Sequence, residues 1–558
     1  MNAFRDALAL GVFLAAWPFA PAQETTRVSV DSFGAQAAGD SMGPTISADG
    51  RFVAFQSMAL NLVSGDTNSN WDVFVHDLST GVTERVSVDS FGVEGNSSSF
   101  SDGPSVSADG RFVAFGSVAW NLVLGDTNGV ADIFVHDRLT GTTERVSVDS
   151  SGDEANAACD IARVSADGRF VAFHTPASIL VLGDTNGASD VFLHDLTTGA
   201  TVRVSVDSSG TEGDAASGGP SISSDGRYIA FGSDATNLVS GDTNGAPDAF
   251  VHDRTTGVTE RVSLDSSGLE GNGGSFPGAI SADGRFVEFH SLASNLVPGD
   301  TNGVLDVFVC DRATDLVDRV SVASSGAEAN AGSAGYAISL DGRYAVFFSD
   351  ASNLVAGDAN NATDIFVHDR LSGLTERISV DSSGAEGNGT SSGVLGISGD
   401  GSVVAFQSWA SNLVANDSNG AYDIFTRNRC VTDASWTNYG AGFPGTNGVP
   451  SFTAESNPVL GSSVTLDLAN SSGTFTVGLL FIGFQQTSIH SKLGGDLLVL
   501  PAITTVVGLP PSGMSLMGAI PNDGALCGLE IDLQAMEADA GAAKGVSFTQ
   551  GLELVLGH

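Results

Sequence analysis

The side chains with the clearest capacity for chemistry are three oxygen donors at a fixed spacing, Asp-x-Asn-x-x-x-Asp, and this motif occurs seven times. Calcium binds about six to eight oxygen atoms from carboxylates, amides and backbone carbonyls. Asp and Asn are also common turn residues, because their side chains hydrogen-bond to nearby backbone. The motif therefore predicts either calcium ligands or structural turns. The candidate ligands are Asp66, Asn68, Asp72, Asp126, Asn128, Asp132, Asp184, Asn186, Asp190, Asp242, Asn244, Asp248, Asp300, Asn302, Asp306, Asp358, Asn360, Asp364, Asp417, Asn419 and Asp423.

The motif belongs to a longer repeated phrase, which must position it. Each copy has an Asp-Gly turn, an apolar run, the Asp-x-Asn loop and a second apolar run. The Asp-Gly turns recur at intervals of 60, 58, 58, 58, 58 and 59 residues. They begin at Asp49, Asp109, Asp167, Asp225, Asp283, Asp341 and Asp400. Such a period indicates one supersecondary unit that buries its faces against its neighbours.

One repeat is expected to form four β-strands. In the second copy they cover residues 103–107, 111–117, 132–137 and 143–148, and Gly, Asn, Asp and Ser separate them. The middle strands are apolar at neighbouring positions, which indicates a sheet covered on both faces. Four-stranded sheets in series predict a β-propeller. A parallel β-helix is the rival architecture, but its turns are much shorter than this period.

The strand count predicts how the ring closes. The first copy of the outer-strand phrase, Thr25 to Val30, precedes the first Asp-Gly turn, and the last repeat has no outer strand. Pairing the first segment with the last repeat, residues 393–429, removes two exposed edges at once. We therefore predict an all-β protein: a seven-bladed β-propeller closed by an N-terminal outer strand and followed by a small C-terminal β-sandwich-like domain.

Closure would bring two kinds of acidic loop to one rim. In a propeller, the connection between the second and third strands opens on the same face as the connection between blades. The first carries the Asp-x-Asn motif and the second is typically Val-Asp-Ser-Ser-Gly-x-Glu-Gly-Asn, as at residues 380–388. If calcium binds there, chelation should lower the melting temperature by many degrees.

The sequence Ser-x-Asp-Gly-Arg-Phe-Val-Ala-Phe, followed by Asp-Ile-Phe-Val-His-Asp, resembles the WD-like repeats of TolB-type β-propellers. The resemblance extends over roughly residues 25–430. It implies the fold and little about function, because propellers carry both binding and catalysis. The N-terminal α/β domain of TolB proteins has no counterpart here, so the resemblance does not imply a role in a Tol envelope machine.

Composition and the N-terminal segment indicate an exported bacterial protein, either secreted or held in the periplasm or at the cell surface. Residues 1–22 resemble a secretory signal peptide with a small-x-small cleavage site at Ala20-Pro21-Ala22. No later run is typical of a transmembrane segment. The net charge of −42 disfavours nucleic acid and anionic lipid as partners. A monomer is expected, with an unidentified protein or glycan as its partner.

The domain boundaries follow from the end of the repeats. We predict the propeller over residues 23–430, a Gly/Asn-rich linker over 431–450 and a β-rich domain over 451–558. Four cysteines allow three full pairings. A Cys159–Cys310 bond is not expected, because those blades are not neighbours. A Cys430–Cys527 bond would fasten the two domains together.

Histidines are the remaining candidates for chemistry. His76, His136, His194, His252 and His368 occupy one strand position in five repeats, which is typical of a packing role. Residues that break the repeat are His174, His290, Glu288 and Cys159. Because a whole blade separates His174 from His290, they are not expected to share a pocket. No nucleophile elbow, zincin helix or phosphate loop is present.

Two functions remain open from the sequence. The first is a non-enzymatic exported propeller that binds a protein, glycan or envelope component through its acidic loop face, with calcium as an optional stabiliser. The alternative is a propeller-type lyase or glycoside hydrolase with its site at the mouth of the central channel. Near-identical blades favour binding. A pocket at the channel mouth lined by blade-unique His, Glu, Arg or Tyr would favour an enzyme.

Overall fold

Seven antiparallel sheets of four strands each occupy the larger part of the chain within the residues that the structure describes. This computed structural model describes residues 23–99, 102–460, 462–521 and 526–557. The predicted signal peptide, residues 1–22, lies outside them. The strands of these sheets are β1 (Thr25–Arg27), β2 (Ser41–Ile46), β3 (Phe52–Ser57), β4 (Asp72–Asp77), β5 (Val82–Arg85), β6 (Ser105–Val106), β7 (Phe112–Ser117), β8 (Asp132–Asp137), β9 (Thr142–Arg145), β10 (Asp160–Val164), β11 (Phe170–Thr175), β12 (Asp190–Asp195), β13 (Ala200–Arg203), β14 (Ser217–Ile222), β15 (Tyr228–Ser233), β16 (Asp248–Asp253), β17 (Val258–Arg261), β18 (Ser275–Ile280), β19 (Phe286–Ser291), β20 (Asp306–Asp311), β21 (Leu316–Arg319), β22 (Ser333–Ile338), β23 (Tyr344–Ser349), β24 (Asp364–Asp369), β25 (Leu374–Arg377), β26 (Gly396–Ile397), β27 (Val403–Ser408) and β28 (Asp423–Asn428).

Six of these sheets are built from consecutive strands, and the seventh joins the two ends of the repeat region. Sheets 1 to 6 are β2–β5, β6–β9, β10–β13, β14–β17, β18–β21 and β22–β25. Sheet 7 has the order β1-β28-β27-β26. In it, Thr26 lies directly opposite Thr426, and the pairing runs from Thr25 with Arg427 to Arg27 with Phe425. The predicted closure by the N-terminal strand is confirmed.

The sheets form a ring, because each one contacts the next through its first strand. β10 contacts β14, β14 contacts β18, β18 contacts β22, β22 contacts β26, and β26 contacts β2. The first strands β2 and β6 also contact each other, as do β6 and β10. The first strand of every sheet therefore faces the common axis and the fourth strand faces outward, which is the arrangement of a β-propeller.

Apolar side chains from both faces of each sheet fill the spaces between sheets. One core joins Ala54, Val73 and Val75 of sheet 1 to Val113 and Phe115 of sheet 2. Phe55 and Phe74 stack within sheet 1 with ring centroids 5.9 Å apart, and equivalent pairs recur in the other sheets. The continuous apolar runs of the sequence reflect this burial on both faces.

The strand register places both acidic connections at one end of the sheets. Ser57 at the end of β3 lies opposite Asp72 at the start of β4, and Arg85 at the end of β5 lies opposite Phe74. The Asp-x-Asn loop and the connection to the next sheet therefore leave from the same rim. We call this the loop rim. The Asp-Gly turns lie at the opposite end.

The described residues from 428 onward form a second unit, separate from the unit formed by the described residues of 24–427. One sheet has the order β29-β39-β37-β32-β35 with β38 paired to β37, a second has the order β30-β31-β36, and β33 pairs with β34. Side chains of the two larger sheets share one apolar core. The strands are β29 (Ser435–Tyr439), β30 (Phe452–Ala454), β31 (Ser463–Leu468), β32 (Thr476–Gly483), β33 (Gln486–His490), β34 (Asp496–Val499), β35 (Ile503–Leu509), β36 (Met514–Ala519), β37 (Glu530–Ala538), β38 (Val546–Phe548) and β39 (Gly551–Val555).

Two features of the second unit differ from the sequence-based expectation. The expected linker contains β29, which pairs along its length with β39, and Trp436 of β29 packs against the apolar core. The Cys430–Cys527 disulfide is present. Both cysteines belong to the second unit, so the bond cross-links that unit internally and does not fasten the two domains together. Among the described residues, no helix is both long and apolar enough to cross a membrane.

Candidate functional site

The predicted calcium ligands gather around an arginine at the loop rim. In sheet 1, Arg85 Nη1 lies 3.5 Å from Asp66 Oδ1, 3.3 Å from Asp72 Oδ2 and 2.8 Å from Glu94 Oε2. The guanidinium is mostly buried, and its charge offsets those of the carboxylates. Equivalent arginines in the other sheets are Arg27, Arg145, Arg203, Arg261, Arg319 and Arg377.

The asparagine of each motif has a structural role. Asn68 Oδ1 accepts a hydrogen bond from the backbone N–H of Asn70, and Asn68 Nδ2 donates to Asp72 and to the carbonyl of Gly95. Asp72 accepts a further hydrogen bond from Ser87 Oγ at 2.5 Å. These contacts organise the turn and connect it to the segment that leads to the next sheet.

Calcium at these positions stays a prediction. The carboxylate oxygens of Asp66, Asp72 and Glu94 lie within 4.8 Å of one another, as do those of Asp184, Asp190 and Glu212. A bound ion would share these oxygens with the guanidinium, which already supplies a positive charge. Burial raises the pKa of Asp66 to about 6, with Asp72 adding to the shift and Arg85 opposing it.

The repeated histidines join neighbouring strands. His76 Nδ1 lies 2.8 Å from Thr83 Oγ1, and that hydroxyl donates its single hydrogen to the carbonyl of Val30. The imidazole must therefore donate from Nδ1. In sheet 5, Cys310 replaces the histidine and its partner across the strands is Val317 in place of threonine. Both members of the polar pair change together, which supports the predicted packing role.

A cavity of about 470 Å³ opens at the loop-rim end of the first strands of sheets 3, 4 and 5. Its wall includes Arg163 of β10, His174 of β11 and His290 of β19, together with Asp102 and Tyr336 from the flanking sheets. The expectation that His174 and His290 do not share a pocket is wrong. Between them, β14 contributes Gly218, Gly219 and Pro220, whose small or compact side chains leave the space open. We call this space the axial cavity.

Arg163 is the cationic group of the axial cavity. Arg163 Nη1 donates to the carbonyl of Ala162 at 3.0 Å, and Nη2 lies 3.9 Å from Asp102 Oδ2. The Arg163 side chain is 21% exposed and that of Asp102 is 48% exposed. Burial raises the pKa of Asp102, and Arg163 opposes that shift. A loosely paired guanidinium and carboxylate can both hydrogen-bond to a polar ligand.

Aromatic rings form one wall of the axial cavity. Phe276 stacks on His290 with centroids 5.6 Å apart, and Tyr336 follows at 5.9 Å from His290. Burial lowers the pKa of His290 to about 4 and also lowers that of His174. Both imidazoles are therefore neutral at pH 7. Nδ1 of each is buried and has no hydrogen-bond partner among the described residues.

Glu288 lies beside the axial cavity, on the same face of β19 as His290. Its side chain is fully buried, and neither carboxyl oxygen has a hydrogen-bond partner among the described residues. A Cβ on Gly335 or Gly278 would come within about 3.1 Å of these oxygens, so both neighbours must be glycine. Burial without a cationic partner raises the pKa of Glu288 well above its ordinary value.

Glu288 gives the protein a pH-dependent stability with a defined sign. A carboxyl whose folded pKa is raised stabilises the fold most at low pH, and this contribution is lost as pH rises from the unfolded pKa to the folded one. A pKa that differs by one between the folded and unfolded states changes the unfolding free energy by about 1.4 kcal/mol. We therefore expect Glu288→Gln and Glu288→Ala to remove more than about 1.4 kcal/mol of the fall in unfolding free energy between about pH 4 and pH 8.

Urea unfolding at both pH values measures this effect. Alanine is the matched replacement, because Ala54, Ala114, Ala172, Ala230 and Ala405 stand at the equivalent position in other sheets. An unchanged pH dependence in both variants would show that Glu288 is ionised in the folded protein.

The two free cysteines are not reactive groups. Burial raises the pKa of both Cys159 and Cys310 to about 12. Thiols with so little thiolate are poor nucleophiles. Cys159 packs in the core between sheets 2 and 3.

Sequence reasoning missed Arg163, Asp102 and Tyr336. Aligning the first strands of the repeats would have found Arg163, whose equivalents are Thr45, Ser105, Ser221, Ala279, Ala337 and Gly396. Asp102 lies in the longest interval, the 60-residue one. Tyr336 is the aromatic exception at a position otherwise held by Pro44, Pro104, Ala162, Pro220, Gly278 and Leu395.

Comparison with known proteins adds little to this geometry. No family model matches the chain, and no curated protein matches it. Similar solved structures include a TolB from Agrobacterium tumefaciens (18% identity, 50% of this chain, 80% of that chain, TM-score 0.32). A GH74 xyloglucanase from Xanthomonas campestris has 10% identity and a TM-score of 0.38, over 80% of this chain and 59% of that one. A periplasmic gluconolactonase from Pseudomonas aeruginosa has 18% identity and a TM-score of 0.30, over 60% of this chain and 84% of that one. Because these sequence identities and TM-scores are low, the description of the fold rests on the strand pairing given above and not on these similarities.

Proposed function

We propose that this protein is an exported binding protein whose ligand site is the axial cavity, and that the ligand is a hydroxyl-rich molecule such as the end of a glycan chain. The observation that carries the proposal is the convergence of repeat-breaking side chains on one cavity. Arg163, His174, His290 and Tyr336 come from four strands and three sheets, and all line it.

The chemistry of the wall matches a polar ligand with apolar faces. Arg163 and Asp102 supply hydrogen-bond donors and acceptors, and the neutral imidazoles add one polar nitrogen each. Phe276 and Tyr336 line the cavity, and aromatic rings can pack against the C–H face of a sugar. A cavity of about 470 Å³ is within the usual size of small-molecule sites.

A glycan array probed with two matched variants tests the proposal. The cavity variant combines Arg163→Ser, His174→Gln and His290→Gln, each a residue that other repeats carry at that position, as in Ser221 and Gln56. The rim variant combines Asp153→Ala and Asp214→Asn, also taken from other repeats. We expect the cavity variant to lose at least about tenfold in affinity, or ~1.4 kcal/mol, and the rim variant to bind as wild type.

The opposite pattern would place recognition on the acidic loop rim. If the rim variant lost binding while the cavity variant kept it, the axial cavity would not be the ligand site. Circular dichroism of both variants checks that the propeller is folded.

Enzymatic activity is the second candidate function, and residues in the wall of the axial cavity favour it. Two imidazoles that are neutral at pH 7 can act as general bases, and Tyr336 or Asp102 could transfer a proton. A lyase or glycoside hydrolase would shorten the glycan, whereas a binding protein leaves it intact. A glycan that binds the wild type on the array is incubated with the wild type and with the cavity variant, and its length is then measured by chromatography. Shortening by the wild type alone would indicate an enzyme, and an intact glycan would indicate a binding protein.

Export and family membership are parts of the same proposal. The signal-peptide pattern of residues 1–22 supports export. Each four-stranded sheet is interpreted as one blade, and the repeat phrase supports a TolB-type propeller of seven blades.

A further inference from the structure

Inside the second unit, side-chain oxygens of five residues form one connected cluster. Ser471 Oγ contacts Glu537 Oε1 closely, lies 3.2 Å from Asp539 Oδ2 and 2.8 Å from Ser547 Oγ. Ser547 Oγ lies 2.8 Å from Glu537 Oε1. Thr446 Oγ1 is hydrogen-bonded to Asp539 Oδ1 at 2.5 Å. We call these residues the tail oxygen cluster.

The cluster has fewer hydrogens than its contacts require. Ser471 and Ser547 have one hydroxyl hydrogen each, and they take part in four close oxygen–oxygen contacts with each other and with the two carboxylates. When both carboxyl groups are ionised, at most two of these contacts can be hydrogen bonds at one time. The others bring oxygen atoms together with no hydrogen between them, which is unfavourable unless a positive charge is present.

The two carboxylates are buried and have no cationic partner. Glu537 is 2% exposed and Asp539 is 1% exposed. Neither forms an ion pair with a lysine, arginine or histidine among the described residues, although buried carboxylates are normally paired or bind a metal.

A second observation concerns Glu537 alone. Its Oε2 is buried and has no hydrogen-bond partner among the described residues, while Oε1 accepts from the Ser471 N–H at 2.6 Å and from hydroxyls. Oε2 is bonded to the same carbon as Oε1, so it lies beside the cluster, and no hydrogen-bond donor among the described residues satisfies it. A Cβ on Gly445 would collide with Ser471 Oγ and Asp539 Oδ2, so the backbone there must approach the oxygens closely.

We propose that the tail oxygen cluster is a calcium site, with Glu537, Asp539 and Ser471 as ligands. A divalent cation would neutralise the buried charges and would separate the oxygens that now crowd without hydrogens. All the donors are oxygen, which is the ligand preference of calcium, and calcium tolerates irregular geometry better than magnesium does. The site is distinct from the arginine-centred carboxylates of the loop rim and does not depend on the ligand of the axial cavity.

Isothermal titration of the chelator-stripped full-length mature protein with calcium chloride tests the site. We expect about one calcium ion per chain and an upward shift of the second unit's melting transition with calcium but not with equal magnesium. Glu537→Gln keeps the size of the side chain and is expected to abolish both effects. Asp467→Asn, which removes a surface carboxylate of the same unit, is the control and should leave both unchanged.

Each other outcome contradicts the proposal. Absence of calcium binding by the wild type would overturn it, and so would a calcium stoichiometry and a melting shift of the second unit that are the same in Glu537→Gln as in the wild type. A stoichiometry near seven that survives this substitution would instead place calcium at the loop rim. As a control for folding, the melting profiles of Glu537→Gln and the wild type are compared without calcium. If the two profiles match, the loss of calcium binding is due to the missing carboxylate ligand and not to a change of fold.

Discussion

A chain that lacks residues 24–30 is expected to lose at least about 5 kcal/mol of unfolding free energy, so that the propeller melts far below the wild type or does not fold. Asp423 is fully buried, and it would lose Arg27 at 3.4 Å and the Ser29 hydroxyl at 2.5 Å. A buried carboxylate without its partners costs about 3–5 kcal/mol. Removing the buried Val28 side chain adds about 1.5–3 kcal/mol.

Deletion also exposes an unpaired edge of β28, which invites aggregation. Chemical unfolding followed by tryptophan fluorescence measures the loss. Wild-type stability in the deleted chain would show that sheet 7 does not depend on the N-terminal strand.

A disulfide across the same closure provides the reciprocal test. Thr26 and Thr426 lie directly opposite each other in the antiparallel pair, where Cα atoms are about 4.5–5.5 Å apart, within disulfide range. Thr26→Cys combined with Thr426→Cys should cross-link under oxidation and raise stability by about 2–4 kcal/mol. Either substitution alone should not. If no cross-link forms, the register of β1 against β28 is different.

The second large effect concerns the buried arginines of the loop rim. Arg203→Leu is expected to cost about 3–5 kcal/mol, because it leaves three carboxylates without their cation. In the structure, Arg203 Nη1 lies 3.6, 3.0 and 2.7 Å from Asp184, Asp190 and Glu212. Urea unfolding at neutral pH gives the change in free energy directly.

Arg169→Leu is the matched control, since the same sheet holds this arginine at its opposite end. Arg169 pairs with Asp195 at 2.7 Å, but its side chain is 42% exposed. Solvent screens such a pair, and its loss should cost about 0–1 kcal/mol. Equal costs for the two substitutions would mean that burial does not decide the contribution of the loop-rim arginines.

The ring could be predicted from the sequence because it follows from strand counting. The sequence has one extra outer-strand segment before the first repeat, and its last repeat lacks an outer strand. Pairing the two is the simplest arrangement, and Thr25 to Arg27 do pair with β28. Register along the chain then fixes which loops share a rim. These inferences need only the repeat and the rule that sheet edges are paired or covered.

The axial cavity could not be predicted in the same way. His174 and His290 are separated by a blade, and sequence position alone suggested separate sites. Their convergence depends on Gly218 and Gly219, which lie between them and have no side-chain carbon, and on how the first strands meet at the axis. The position of Arg85 among the candidate calcium ligands likewise became apparent only from the structure.

The axial cavity is the place where we expect the ligand to bind, and a crystal structure of the wild-type protein soaked with an array-positive glycan tests this directly. We predict electron density for the glycan within hydrogen-bond distance of Arg163 and beside the ring of Phe276. Density confined to the acidic loops of the rim, with the cavity filled by water, would contradict this expectation.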